Sequence, residues 1–569
     1  MGIELAKPTL EELVTWNWAK LEPHYKALVT GELTAASVAD WLLDWTQVSE
    51  LTDELYNRLY VATTVNTVDK QAEDRYKNFM DNIYPKAMES EQQLKEKLLA
   101  SGLEPDGFAI PLRNMRAEAD LFRKQNLPLL VEEEKLSNAL DKIIGAQTVE
   151  WEGEERTIRQ MEVVLRNPDR ERRRKGWELM SERRLQDRDA INSNWRKYFE
   201  LRQKIAKNAG KQDYRAYKWQ QLKRFDYTPQ DCLAFHEAIE QVAVPAMNRL
   251  AKRRQEKRGI DTLRYYDLFV DCTNYPPLQP FKETRELTDK ASAIFNKVHP
   301  CFGEYFRLMD HEGLLDLANR KNKANGGYCT DFSASKKPFI FANAVGIHDD
   351  VSTLIHEGGH CFHAFETFKL PYIQQRWTPM EFNEVASMAM ELLASPYLVE
   401  EMGGFYSERD AARAMVEQLE TNIRFWSYMA IVDAFQHWVY MNPDKGGNPD
   451  KCDTKWAELE QRLRPYVDWS GYENVMVTGW HRKGHIHQAP FYYIEYGLAQ
   501  LGATQVWANA LEDQSKAVKN YREGLALGGT VSLPKLYETA GIKFAFDAQT
   551  LGKAVKLMEE KIYELELMI

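Results

Sequence analysis

Two histidines four residues apart, His356 and His360, enclose a glutamate in the run His-Glu-Gly-Gly-His. On an α-helix residues i and i+4 share one face, so both imidazoles can reach a single cation. Glu357 falls about 100° round the helix from His356, beside such a cation rather than on it. That is where a base acting on metal-polarised water has to stand. A catalytic zinc site asks for three protein ligands and one open position. The third should come from a second element, and Glu384 and Glu391 are the candidates. They lie seven apart in EFNEVASMAMELLAS, which is apolar on most sides. Both carboxylates should therefore be buried and in need of a cation or an arginine. His311-Glu312 is followed by Leu315 where the second histidine would stand, and lacks the pattern.

The other histidines thicken the signal. Of 12, four fall within 348–363 and three within 481–487. His363, seven after His356, would close the site as a fourth ligand, so an outer or packing role is expected of it. His348 reads as a loop residue. The block GWHRKGHIHQAPFYYIEYGLAQLG (479–502) sets histidines and tyrosines beside glycines and Pro490. Phenol O–H and imidazole N–H groups suit an oxyanion developing on a carbonyl. The same tyrosines could equally pack their rings in a core.

Two helices must position these groups. The first can be capped by Asp349 or Asp350 and buries Leu354, Ile355, Phe362 and Phe365. Its two glycines cost it about 1 kcal/mol each relative to Ala. The second starts at Thr378-Pro379-Met380-Glu381, with Thr378 as cap, and ends before Pro396. Between Gly326 and Ile347 the chain reads as two short extended segments, and 148–158 as a hairpin about Gly153. Elsewhere the period is helical, from Leu10 to about Ala206 and again from the first metal helix to Ile569, with a proline-rich boundary at 273–280. Gly (30) and Pro (22) make up under a tenth of the 569 residues, where roughly 12% is usual, which favours long helices.

Composition excludes several classes. With 44% hydrophobic and 28% charged residues the chain is globular, not disordered. A net charge of −11 opposes nucleic-acid binding. The arginine-dense stretches 170–184 and 249–258 interleave acids and read as solvated helix faces. Six scattered cysteines without a C-x-x-C pair point to reduced thiols and a cytoplasmic setting. The first residues lack a secretory signal, and Ala6 replaces the Ser or Thr of a myristoylation signal. No window is apolar enough to cross a membrane.

HEGGHCFH fits H-E-x-G-H-x-x-H, and Glu384-Val-Ala-Ser387 follows His360 by 24 residues as an E-x-x-S helix. With GGYC…KPFIFAN before and PFYYIEY after, the sequence resembles the M3 family of zinc metallopeptidases, in its oligoendopeptidase F branch. The likeness runs from about Asn208 to Gly502, and more weakly before it. It implies a mainly α fold, with two helical lobes (1–205 and 206–569) around a deep substrate channel and a small β-sheet next to the zinc-binding helices. It implies one zinc ion per chain, held by His356, His360 and Glu384, with Glu357 as general base. Substrate backbone would add along a sheet edge within Gly326–Asn343. Of the C-terminal block, His485 and Tyr496 are favoured as catalytic, and His487, Tyr492 and Tyr493 as substrate contacts. The activity so implied is zinc-dependent cleavage of internal bonds in short unfolded oligopeptides, with no nucleic-acid or membrane partner. A dipeptidyl carboxypeptidase of the same superfamily is the alternative. A non-catalytic peptide-binding scaffold is a third reading, against which an intact Glu357 argues.

Overall fold

The computed structural model describes residues 8–273, 275–324 and 326–569. Helices dominate, as the low Gly and Pro content requires. Helix α1 (Val38–Val65) buries Trp41, Leu42, Trp45, Val48, Leu51, Leu55 and Leu59, spaced by three and four. These residues belong to the smaller of two apolar clusters, which runs from Leu13 to Met115. The larger cluster takes in the rest of the chain.

The expected hairpin is strands β1 (Thr148–Trp151) and β2 (Glu154–Thr157), antiparallel, with Thr148 opposite Thr157. Its two turn residues, Glu152 and Gly153, have φ of 56° and 83°. Such a turn matches the twist of the strands it joins. Helix α2 (Arg188–Asn208) follows, then α3 (Pro229–Arg258). Trp195 of α2, which precedes residue 205, packs on Trp480, ring centroids 5.3 Å apart.

A three-stranded sheet stands beside the helices that carry His356, His360 and Glu384. Strands β3 (Leu315–Ala318), β4 (Tyr328–Phe332) and β5 (Lys337–Ala344) run in the order β3-β5-β4. β4 and β5 are the two extended segments read from the sequence, and they pair antiparallel. β3 pairs parallel to β5 and went unread, because four residues, LDLA, carry too little periodicity. That leaves β4 as a sheet edge. α1 steadies it: Tyr328 Oη and Thr64 Oγ1 are 2.6 Å apart, and Asn57 Nδ2 donates to the Asp331 carbonyl at 2.9 Å.

Helix α4 (His348–Thr367) begins differently from the cap expected. Its N-cap is Ile347, and Asp350, inside the first turn, accepts the amides of Val345, Gly346 and Ile347 at 2.8–3.0 Å. Asp349 turns outward to Arg166 at 3.2 Å. Helix α5 (Met380–Ala394) is almost wholly buried. Thr378 does not cap it: Pro379 takes that position, and the Thr378 hydroxyl lies 3.4 Å from His363 Nε2. The glycine pair on α4 has a packing reason. A Cβ on Gly359 would stand 2.6 Å from both the Ala386 oxygen and Ser387 Cα of α5, and one on Gly358 would stand 2.6 Å from the Phe295 ring. The helical propensity lost there admits the close approach of α4 and α5.

Helix α6 (Glu408–Met441), α7 (Tyr493–Ala526) and α8 (Ala548–Glu566) complete the frame. α7 also packs against α5, where Tyr521 Oη donates to the Ala386 carbonyl at 2.6 Å. α3, α6 and α8 pack against one another. Among the described residues no helix is long and apolar enough to cross a membrane.

Candidate active site

His356 and His360 sit one turn apart on α4, with ring centroids 5.0 Å from each other. Glu384 reaches across from α5, its Oε2 3.6 Å from His356 Nε2 and 3.9 Å from His360 Nε2. One ligand atom from each of the three lies within 4.8 Å of the others. Ser387 Oγ donates to Glu384 Oε2 at 3.2 Å and fixes the carboxylate. Glu391, one face-repeat further along α5, accepts from His356 Nδ1 at 2.7 Å, and Gln418 Nε2 donates to its other oxygen at 3.0 Å. The partner of Glu391 is thus a histidine, not an arginine. The hydrogen bond to Glu391 holds a proton on Nδ1 and leaves Nε2 as the ring atom turned toward Glu384 and His360.

The charges show what the cluster demands. Burial works against a protonated His356, but the Glu391 hydrogen bond and the charges of Glu384 and Glu357 lift it to about 9. Burial and that neighbouring charge hold His360 well below the ordinary imidazole range. Burial raises both Glu384 and Glu357, partly offset by His356. Without a metal, a proton on His356 balances the carboxylates. A divalent cation meets the same need with both imidazoles neutral, so this donor set fits zinc. Glu357 is held off the cluster, where the backbone amide of Cys329 on β4 draws its carboxyl down.

His363 is buried against Phe382, ring centroids 6.2 Å apart, with its imidazole pushed down to about 4 by burial. It takes no place among the ligands. His348 Nδ1 pairs with the Tyr406 hydroxyl at 2.8 Å.

The C-terminal block divides. His485, half-buried, stands among Tyr492, Tyr493 and Tyr496, with ring centroids 5.8, 5.1 and 6.0 Å away. Burial and the Lys483 charge push its imidazole down to about 4, so it is neutral. Tyr492 and Tyr496 are 5.3 Å apart and half-buried. Both phenols are raised, Tyr492 by burial and by Tyr496 and Glu384, Tyr496 by burial and Glu384 to about 12, so both keep their O–H protons within the field of Glu384. Tyr493 instead turns into the core under Lys483, whose Nζ lies 4.1 Å from its ring centroid. His487 is a correction. It is fully buried between Trp195 and Trp480, at 5.3 and 5.6 Å, and cannot touch a substrate. Two residues on from His485, about 200° round the one-turn helix Gly484–Gln488, it points inward while His485 looks out.

Several supporting residues were not read from the sequence. Phe491 adopts φ of 66°, a conformation non-glycine residues seldom take, and its amide donates to Gln436 Oε1 at 2.6 Å. That bend directs the chain into α7 just before Tyr492. Behind it, Arg224 pairs with Glu495 at 2.7 Å, and Tyr227 Oη donates to Glu381 Oε1 at 2.6 Å. Pairings across 150–270 residues leave no local signal.

Residues 163–554 match the model of peptidase family M3. The oligopeptidase PepF of Bacillus subtilis (strain 168) is 23% identical over 330 residues, covering 57% of this chain and 47% of that protein. The group B oligopeptidase PepB of Streptococcus agalactiae serotype III (strain NEM316) is 22% identical over 330 residues, covering 57% and 53%. The matches span about half the length of these curated relatives. Among solved structures, PZ peptidase A with inhibitor 2 superposes with a TM-score of 0.85 at 25% identity, covering 100% of this chain and 99% of that one. The matched region holds both metal helices, the sheet and the histidine-tyrosine block, and the chain belongs to peptidase family M3.

Proposed function

We propose that the protein is a zinc-dependent endopeptidase that cleaves internal bonds of short, unfolded oligopeptides. The observation that carries this is the convergence of His356, His360 and Glu384 with Glu357 one residue along the same helix. His356, His360 and Glu384 would hold one zinc ion, which when bound supplies Lewis-acid polarisation of water and carbonyl. Glu357 takes the proton of the attacking water and delivers it to the leaving amine; its burial raises its basicity. Tyr496, with Tyr492 beside it, donates to the oxygen that gains charge, and neutral His485 packs against both and steadies them. Substrate backbone adds to the β4 edge, which brings the scissile bond past Glu357. The relatives' names, oligopeptidase, favour short substrates. The lobe division 1–205 and 206–569 and a cytoplasmic setting belong to the same reading.

Mass-spectrometric profiling of a peptide library of graded length, with and without a chelator, tests this. Internal cleavage of short peptides, abolished by the chelator and absent on folded proteins, is expected. Chelator-insensitive turnover, or none at all, overturns it. One observation keeps the dipeptidyl carboxypeptidase reading in play: Lys483, next to His485, has no carboxylate partner among the described residues and could meet a free C-terminus. Equal cleavage of amidated and free-acid peptides would exclude that reading.

A further inference from the structure

Away from the site above, two more one-turn pairs face each other. Cys232 and His236 stand four apart on α3, and Asp433 and His437 four apart on α6, and the two helices pack together. Cys232 Sγ, an Asp433 carboxylate oxygen and a His437 ring nitrogen lie within 4.8 Å of one another. His236 Nε2 is 2.9 Å from Asp433 Oδ2. All four residues are buried, the most exposed at 5%.

A buried carboxylate neutralised by two histidines is the simpler account, and it explains the His236 contact. It leaves one atom unexplained. Asp433 Oδ1 has no hydrogen-bond partner, while His437 Nε2 faces the other carboxylate oxygen at 3.3 Å. Buried polar atoms in that condition are rare and costly. The simpler account also gives the thiol no part.

We propose that Cys232, His236, Asp433 and His437 form a second, structural zinc site. One thiolate, one carboxylate and two neutral imidazoles around a divalent ion make a charge-neutral, four-ligand unit, and soft sulfur with imidazole selects zinc. No position is left open for water, so the site ties α3 to α6 rather than doing chemistry. Ligation through His437 Nε2 puts the proton on Nδ1. The half-buried Arg215, whose Nη1 lies 3.4 Å from Nδ1, must then swing away.

None of the four belongs to the proposed catalytic set, so the two readings fail separately. Elemental analysis of the full chain should find two zinc ions in the wild type, one in His356→Ala, one in Cys232→Ser and none in the double variant. After chelation and reloading with cobalt(II), the wild type and His356→Ala should show a sulfur-to-cobalt charge-transfer band, and Cys232→Ser should not. The catalytic set contains no sulfur, so the band reports this site alone. A single zinc in the wild type, unchanged by Cys232→Ser, with no such band, overturns the proposal. A chain that keeps a metal with His356→Ala and loses all of it with Cys232→Ser supports this site while sinking the catalytic ligand assignment.

Discussion

Glu357 and Glu391 are both carboxylates beside His356, and their surroundings give them opposite tasks. Glu391 is tied down by His356 Nδ1 and Gln418, whereas Glu357 meets the site from the sheet side. Glu357→Gln should retain zinc but lower kcat by about 10²–10⁴-fold, the usual worth of a general base; steady-state assays beside metal analysis check this. Glu391→Gln should leave the fold intact and weaken zinc affinity by about 10–100-fold, read by competition with a chromogenic chelator. The tyrosines separate in the same way. Tyr496→Phe should cut kcat by about 10²-fold with little change in KM, because its hydroxyl serves the transition state. Tyr493→Phe should stay within a few-fold of wild type. His487→Ala, emptying a space between two tryptophans, should lower thermal stability without moving KM.

At the scale of elements, the site depends on how closely α4 and α5 approach. The Gly359 position sets that distance, since a Cβ there overlaps the α5 backbone, against which α7 also packs. Gly359→Ala should cost about 1–3 kcal/mol, the range for forced overpacking, and should release zinc at lower chelator concentrations. Gly358→Ala meets a single aromatic ring, Phe295, which can shift, and should be milder. Thermal melts of the two variants, with zinc and without, compare them directly. Equal losses would show that propensity, not the helix contact, explains the pair.

Over the whole molecule, the N-terminal helices meet the β3-β5-β4 sheet through a contact that holds two carboxyls raised above their ordinary range. Asp53 on α1 and Asp331 on β4 face each other in partial burial. Burial and, for Asp331, the Asp53 charge raise them to about 6 and about 7, with Ser333 and Arg376 offsetting a part. A carboxyl raised on folding favours the native state below its unfolded value near 4, and loses that advantage as pH climbs through its folded value. Stability should therefore fall between about pH 4 and 7 and level off above. Asp331→Asn should flatten that slope and be the more stable protein at pH 8, measured by urea melts across the range. An unchanged slope would place the pH dependence elsewhere.

The sequence by itself determined what depends on neighbours along the chain. Spacing alone placed His356, Glu357 and His360 on one helix, and the scarcity of Gly and Pro required long helices. The alternation about Gly153 foretold the hairpin, and the breaks within 326–347 foretold β4 and β5. Tertiary structure decided what depends on distant residues. It gave Glu391 a histidine to orient, and it turned His487 and Tyr493 into the core while Tyr492 and Tyr496 stayed half-buried beside His485. It also made the glycine pair of α4 a helix contact, and it brought Cys232 and His236 against Asp433 and His437 across some 200 residues. The physical reason is the range of the information. A helix repeats within four residues, so its faces are legible locally. Which face meets which partner is set only when apolar surfaces from the whole chain are buried together.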